Sequence, residues 1–385
     1  MTVRRIAATL VLSLVVGACT GPILARPAPP TPAAPAATAT PVPPDDPQPI
    51  VFPRDDGPHG RLTEWWYYTG HLTDADGGAW GFEYVIFRAE RGGFPVSWAS
   101  HLALTDETSG TFHYAQRSAI GPQSDRSPVG PDGEPLGFDL ILAGIDPLVP
   151  ETLDRQAWAM TGSDGRDRLI ADAGVAETGS TSIGLTLDVT TDRPVTAHDG
   201  DGWIDFGPAG GSYYYSRTRM DARGELRVGD RRLRVEGIAW FDHQWGDFIA
   251  VGAGGWDWFA ANLDDGTDVT VSIVRDEIRR PVLVYATVVD PDGTARHIEG
   301  AGVEVNELAT WLSPRTGATY PAGWRVSIET EDLEFEMRPT VADQELDTRS
   351  TTGVIYWEGS QHVTGTHDGK PVDGRGYVEL TGYVR

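Results

Sequence analysis

The chain holds one cysteine, Cys19, in 385 residues, and so has no internal disulfide to staple it. Basic charge is also short. Lysine and arginine total 31 against 56 aspartates and glutamates, a formal net charge of −25. Nucleic acid and anionic lipid surfaces would both repel such a chain, so neither is expected as a partner. No Gly-x-Ser-x-Gly elbow occurs, and no His-Glu-x-x-His, phosphate loop or dinucleotide fingerprint. These absences count against a serine hydrolase, a zinc peptidase and a nucleotide enzyme. The nine histidines are scattered without ligand spacing. No metal and no cofactor is therefore expected. Among 56 acidic residues, paired carboxylates can be drawn anywhere and carry no information about glycoside hydrolysis. No long amphipathic helix is visible.

What is there begins at the N-terminus. Arg4 and Arg5 precede an apolar run, Ile6 to Val16, which has the length of an export signal and is too short to span a membrane by itself. It ends in Val16-Gly17-Ala18-Cys19, which resembles a bacterial lipobox. Residues 1–18 are expected to be a lipoprotein signal peptide and Cys19 the lipidated attachment point. The only membrane contact expected is through that lipid anchor. This reading places the chain outside the cytoplasm, as an exported, membrane-anchored lipoprotein of the bacterial envelope. From Gly21 to Pro49 the chain holds eleven prolines among alanine and threonine. Such a segment cannot bury enough apolar surface to offset its ordering entropy, so residues 19–49 are expected to form an extended tether. Folded sequence is expected from Ile50, and a remainder of about 335 residues is more than one core usually holds. A monomer with two domains is expected, 50–247 and 248–385.

Both halves read as antiparallel sheet. Ile183, Leu185, Leu187 and Val189 alternate with smaller or polar residues, as do Val269, Val271 and Ile273, and Leu333, Phe335 and Met337. Period-two alternation marks half-buried strands. Ten Asp-Gly dipeptides punctuate the chain and suit tight hairpins. The expected class is all-β, built from up-and-down meanders closed into barrels or stacked sheets. An internal echo supports two modules: Glu64-Trp65-Trp66-Tyr67-Tyr68-Thr69-Gly70-His71-Leu72 aligns with Gly255-Trp256-Asp257-Trp258-Phe259-Ala260-Ala261-Asn262-Leu263.

The densest chemistry lies at Trp240-Phe241-Asp242-His243-Gln244-Trp245-Gly246, followed ten residues later by Trp256-Asp257-Trp258-Phe259. Four of thirteen tryptophans surround one histidine and two acids. Buried indoles need partners for their N–H groups and buried carboxylates need pairing, so this cluster is expected to line a pocket. Added to these are Phe52-Pro53-Arg54-Asp55, Glu64 to Gly70, His101-Leu102-Ala103-Leu104-Thr105-Asp106, Tyr356-Trp357-Glu358-Gly359 and Gly374 to Tyr383. On these motifs, residues 50 to 385 resemble the secreted lipoprotein branch of the carotenoid 1,2-hydratase or AttH-type lipocalin-like family. The resemblance implies two tandem lipocalin-like antiparallel β-barrels. It also implies that His243, Trp245 and Asp257 correspond to a histidine, tryptophan and aspartate implicated in catalysis in the hydratases. Gly255 stands where those enzymes carry a tyrosine.

Hydrating an unactivated alkene needs an acid able to protonate carbon, hence a carboxyl kept neutral by an apolar surround. Asp257, between Trp256 and Trp258, is the expected acid. His243 is expected to position or deprotonate water, and Trp66, Tyr67, Trp245 and Trp258 to stabilise a carbocation. Glu64, Trp65, Trp66, Tyr67, His101, Trp240, Asp242, Trp256 and Trp258 are the expected lining of a site for an isoprenoid or lipid-like molecule. The plainer alternatives are an Asp242–His243 structural pair, an ion pair of Glu64 with Arg88 or Arg54, and an ordinary hydrogen bond for His101. In functional terms the two candidates are an acid-catalysed hydratase or isomerase and a non-catalytic double-lipocalin carrier.

Overall fold

In the computed structural model, residues 46–143, 158–179, 181–248 and 254–384 are described. Cys19, the run Ile6 to Val16 and the tether up to residue 45 lie outside them. The described residues include four before the expected start at Ile50, and among them Asp46 accepts hydrogen bonds from Arg61 (2.8 Å) and Tyr213 (2.7 Å). The Tyr213 hydroxyl also accepts the Gln48 backbone N–H.

Apart from short 3-10 turns, the regular structure of these residues is strand. The first sheet comprises β1 (Thr63–Asp74), β2 (Ala79–Ala89), β3 (Ser97–Asp106), β4 (Thr111–Ile120), β5 (Phe138–Leu142), β6 (Trp158–Ser163), β7 (Arg166–Ala173), β8 (Ile183–Thr190), β9 (Thr196–Ala197), β10 (Trp203–Asp205), β11 (Gly211–Val228) and β12 (Arg231–Gly246). The second comprises β13 (Trp256–Leu263), β14 (Asp268–Arg275), β15 (Pro281–Val289), β16 (Ala295–Glu299), β17 (Glu304–Glu307), β20 (Trp324–Ile328), β21 (Leu333–Pro339), β22 (Glu345–Asp347), β23 (Ile355–His367) and β24 (Lys370–Leu380), with β18 (Thr310–Leu312) and β19 (Thr319–Pro321) forming a separate hairpin. Every strand pair is antiparallel.

In order, the first sheet runs β4-β3-β2-β1-β12-β11-β8-β7-β6-β5, so its first and last strands meet in the middle. Its two ends come together where Arg117 of β4 donates to the Leu142 carbonyl of β5 at 3.1 Å. Both sheets are nearly closed antiparallel barrels of the lipocalin-like type. The alternation read from sequence sets what each barrel buries: Trp66, Tyr68, Phe82, Tyr84, Leu185 and Leu187 fill the first, and Phe259, Val271, Phe335, Met337, Trp357 and Val378 the second. At Asp164-Gly165 and Asp368-Gly369 both residues take positive φ (50° and 71°, 51° and 69°), the backbone of the tight hairpin that this dipeptide favours.

The two echoed segments are β1 and β13, and they hold equivalent places. Each pairs with the next strand and with the last strand of its own barrel. In each, the fourth residue of the echoed segment faces outward, so Tyr67 meets Trp258 edge-on with ring centres 5.4 Å apart. The barrels dock through these faces. Trp240, Val85, Ala260 and Tyr377 join that cluster. Gly81 marks a close approach: a Cβ there would sit 2.8 Å from Ser360 Cβ and 3.1 Å from Tyr377 Oη. Gly81→Ala is therefore expected to wedge the barrels apart and cost about 1–3 kcal/mol, read as a fall in the midpoint of chemical denaturation. An unchanged midpoint would show that the interface yields at this point.

Candidate functional site

Adjacent residues of a strand point to opposite faces, and this divides the expected site in two. On β12, Phe241, His243 and Trp245 point into the first barrel, whereas Trp240 and Asp242 point at the second. Asp242 and His243 thus form no pair. On β1, Glu64 and Trp66 point inward with His243, while Trp65 and Tyr67 face the second barrel.

Asp257 joins neither group. Its side chain points into the second barrel, where Arg275 donates twice to Oδ2 and Tyr383 donates to Oδ1 at 3.0 Å. The expected trio of His243, Trp245 and Asp257 is not one site. Burial does raise the Asp257 pKa, against the pull of Arg275, Tyr383 and Arg279, yet both its oxygens are committed. The role of a free neutral acid falls elsewhere. His101 faces the second barrel. Its Nδ1 lies 2.7 Å from Tyr356 Oη and its Nε2 3.0 Å from Thr351 Oγ1. Burial depresses its pKa to about 3.

The group inside the first barrel includes a residue that sequence reading missed. His59, in the segment before β1, stacks flat on Trp245 with ring centres 4.0 Å apart. Its Nδ1 lies 2.7 Å from Glu64 Oε1, and His243 Nε2 lies 3.0 Å from the same oxygen. Arg88 stands 3.8 Å from Glu64 Oε2, so the anticipated ion pair is present but secondary. Burial opposes the Glu64 charge, but His59 and His243 outweigh it and hold the pKa down to about 2. His243 itself is pushed below the usual imidazole value by burial. The nine histidines, scattered along the chain, are not all scattered in space.

Between the barrels lies the second group, and sequence reading missed most of it. Glu83 of β2, Glu358 of β23 and Glu379 of β24 converge there among Tyr67, Tyr356 and Trp258. Glu358 and Glu379 are direct cross-strand neighbours, and Glu379 is in turn opposite Trp258. The Tyr67 hydroxyl donates to Glu358 Oε1. Glu358 Oε2 and Glu83 Oε2 are buried and meet no hydrogen-bond partner among the described residues. Burial, reinforced by the neighbouring carboxyls, drives the pKa of Glu83 and Glu358 far above the carboxylate range. Burial takes Glu379 up to about 7. Across the seam, Asp242 accepts from Tyr214 (2.6 Å), Trp240 (2.6 Å) and Ser216. Those three bonds moderate the effect of burial and leave its pKa at about 6. Trp240 meets Trp258 edge-on, ring centres 6.1 Å apart. The only advance signal was the alternation Tyr356, Glu358, Ser360 against Trp357, which places an acid on the outward face of a barrel strand.

These raised values have a consequence for stability. The unfolded chain loses the Glu379 proton near the ordinary value of 4.5 and the native chain near 7. Between those limits the native state binds more protons, so stability falls as pH rises. Thermal midpoints are expected to drop from pH 4.5 to 7, and Glu379→Gln to flatten that slope. A slope unchanged by the substitution would remove Glu379 as its source.

Comparisons with known proteins agree with this architecture. No curated protein sequence matches the chain. The solved structure of a Nitrosomonas europaea protein assigned as an AttH (NE1406) is 32% identical, covers 89% of this chain and 99% of its own, and superposes with a TM-score of 0.73. Kievitone hydratase from Nectria haematococca, at 17% identity, covers 89% and 96% with a TM-score of 0.62, a likeness of fold. The AttH-like family model matches residues 43–383, nearly all of the described structure, and the chain belongs to the AttH-like family.

Proposed function

We propose that this protein binds an apolar, unsaturated molecule of isoprenoid or lipid-like character between its two barrels and protonates it, leading to hydration or isomerisation. The observation that carries the reading is Glu358, a buried carboxyl kept neutral by burial and by its acidic neighbours, with one oxygen bonded by Tyr67 and the other unclaimed among the described residues. A neutral carboxyl in an apolar seam can give its proton to carbon. The alkene π pair forms the new C–H bond and leaves a tertiary cation. Faces of Trp240, Trp258 and Tyr67 would each stabilise that cation by about 1–2 kcal/mol when desolvated. In hydration, water attacks the cation and the oxonium proton passes to a carboxylate. Asp242 suits that step, because its pKa of about 6 leaves it ionised at neutral pH and its Oδ2, which accepts one bond, from Tyr214, keeps a lone pair for the proton. In isomerisation, the same base removes a different carbon-bound proton and no water is consumed. Either way the two carboxyls exchange roles and are reset by proton transfer.

The carotenoid hydratase activity is the finer assignment within this reading, and kievitone hydratase supports it only as a fold that hosts such chemistry. The same proposal takes the N-terminal segment as an export signal and Cys19 as the lipid-bearing residue. It places the protein, as a monomer, at the bacterial envelope, where apolar substrates partition.

The test is incubation of the purified chain with acyclic polyprenyl and carotenoid substrates in deuterium oxide, followed by mass spectrometry. Deuterium at carbon, with or without a gain of water, is expected. Saturable binding with no exchange would overturn catalysis in favour of the carrier reading.

A further inference from the structure

We infer that His59, Glu64 and His243 form a binding site for one divalent transition-metal ion inside the first barrel, separate from the seam between the barrels. The ligand atoms are His59 Nδ1, His243 Nε2 and Glu64 Oε1, all within 4.8 Å of one another. Both histidine nitrogens are aimed at the same carboxylate oxygen, at 2.7 and 3.0 Å.

Counting protons makes the case. The outer nitrogen of each ring already faces an oxygen. His59 Nε2 lies 3.4 Å from Asp55 Oδ1. His243 Nδ1 lies 3.3 Å from Tyr215 Oη. The Tyr215 hydroxyl spends its single hydrogen on Asp56 Oδ1 at 2.6 Å, where Arg217 also donates at 2.9 Å. Towards His243, Tyr215 can therefore only accept. A neutral imidazole carries one N–H, so each ring can satisfy its outer oxygen or Glu64, but not both. Satisfying every contact with protons requires two imidazolium rings with centres 5.7 Å apart, packed beside Trp66 and Trp245. One metal ion resolves the conflict: each ring coordinates through its inner nitrogen and donates its remaining N–H outward.

That outward donation is the usual second layer of a protein metal centre, where an acceptor fixes the tautomer of each histidine ligand. Here Asp55 and the Tyr215–Asp56 pair supply it. The second oxygen of Glu64 is held by the His59 backbone N–H at 3.0 Å. Stacking of His59 on Trp245 and of His243 on Trp66 (4.6 Å) fixes both ring planes. Two imidazoles and one carboxylate suit zinc or ferrous iron rather than calcium or magnesium, which take oxygen ligands. Three protein ligands leave a coordination position for water or a ligand atom. For a tetrahedral ion the donor atoms stand about 3.3 Å apart, so the nitrogen–oxygen contacts of 2.7 and 3.0 Å would open by about 0.6 and 0.3 Å, and the two nitrogens, which lie within 4.8 Å of each other, would settle at the same spacing.

The test uses the purified full chain, stripped with chelator and titrated separately with Zn²⁺, Fe²⁺ and Co²⁺. One ion per chain is expected, with a visible Co²⁺ spectrum of low-symmetry, four- or five-coordinate type. His59→Ala and Glu64→Gln should lose it, His362→Ala, an exposed histidine elsewhere, should keep it, and Tyr215→Phe should weaken it roughly 10- to 100-fold. Near-UV circular dichroism establishes which variants are folded. X-ray absorption of the zinc-loaded wild type needs no variant: two imidazoles at about 2.0–2.1 Å are required. No uptake by the wild type, an oxygen-only shell, or uptake retained by both folded ligand variants would overturn the site and leave the cluster as a proton-sharing trio.

Discussion

Glu358→Gln is expected to abolish turnover, by roughly 10²- to 10⁴-fold, while leaving affinity for the apolar ligand nearly unchanged. The amide keeps the shape of the side chain and can still accept from the Tyr67 hydroxyl, which bonds Glu358 Oε1. What it lacks is a proton acidic enough to reach carbon. The expectation is specific to this carboxyl, because its free oxygen is buried in the seam with no partner among the described residues, whereas both oxygens of Asp257 are held by Arg275 and Tyr383. Asp257→Asn should therefore act mainly on stability. The measurement is kcat and KM for each variant alongside ligand affinity from fluorescence of the seam tryptophans. Equal turnover in Glu358→Gln and wild type would remove Glu358 as the acid, and a loss confined to affinity would indicate a carrier.

The second large effect is on the union of the barrels. Asp268→Ala is expected to cost about 3–5 kcal/mol, because it leaves two partly buried guanidinium groups and the buried donors of Thr218 and Asn262 without their partner. Asp268, fully buried at the start of β14, accepts from five donors. Arg219 supplies two, at 3.0 and 2.6 Å, Asn262 one at 2.6 Å, Thr218 one at 2.8 Å and Arg193 one at 3.1 Å. Arg193, Thr218 and Arg219 belong to the first barrel and Asn262 to the second, so one carboxylate bridges both. Chemical denaturation is expected to show a lower midpoint, and the single transition of the wild type to split as the barrels unfold apart. A loss under about 1 kcal/mol would place this residue with solvent-screened surface pairs.

Period-two alternation and Asp-Gly turns determined, from the sequence by themselves, that the chain is all-β, because strand periodicity and hairpin backbone are local properties. The echo of Glu64–Leu72 in Gly255–Leu263 likewise located the two central strands. The same alternation could have separated Asp242 from His243 and Trp66 from Tyr67, since neighbours on a strand face opposite ways. Read instead as a linear cluster, Trp240 to Trp258 looked like one pocket. Sequence could not show which outward faces meet. Glu83, Glu358 and Glu379 come from three strands of two barrels, and their elevated pKa values depend on the docking that buries Glu83 and Glu358 and half-buries Glu379. Nor could it bring His59 of the entry segment to His243, which lies at the far end of the first barrel's sequence. That meeting follows from β1 pairing with β12, with Thr63 opposite Gly246. Local pattern chose the elements. Long-range strand pairing and the exclusion of water between the barrels chose which side chains act together, because a charge takes its chemistry from the groups that surround it in space.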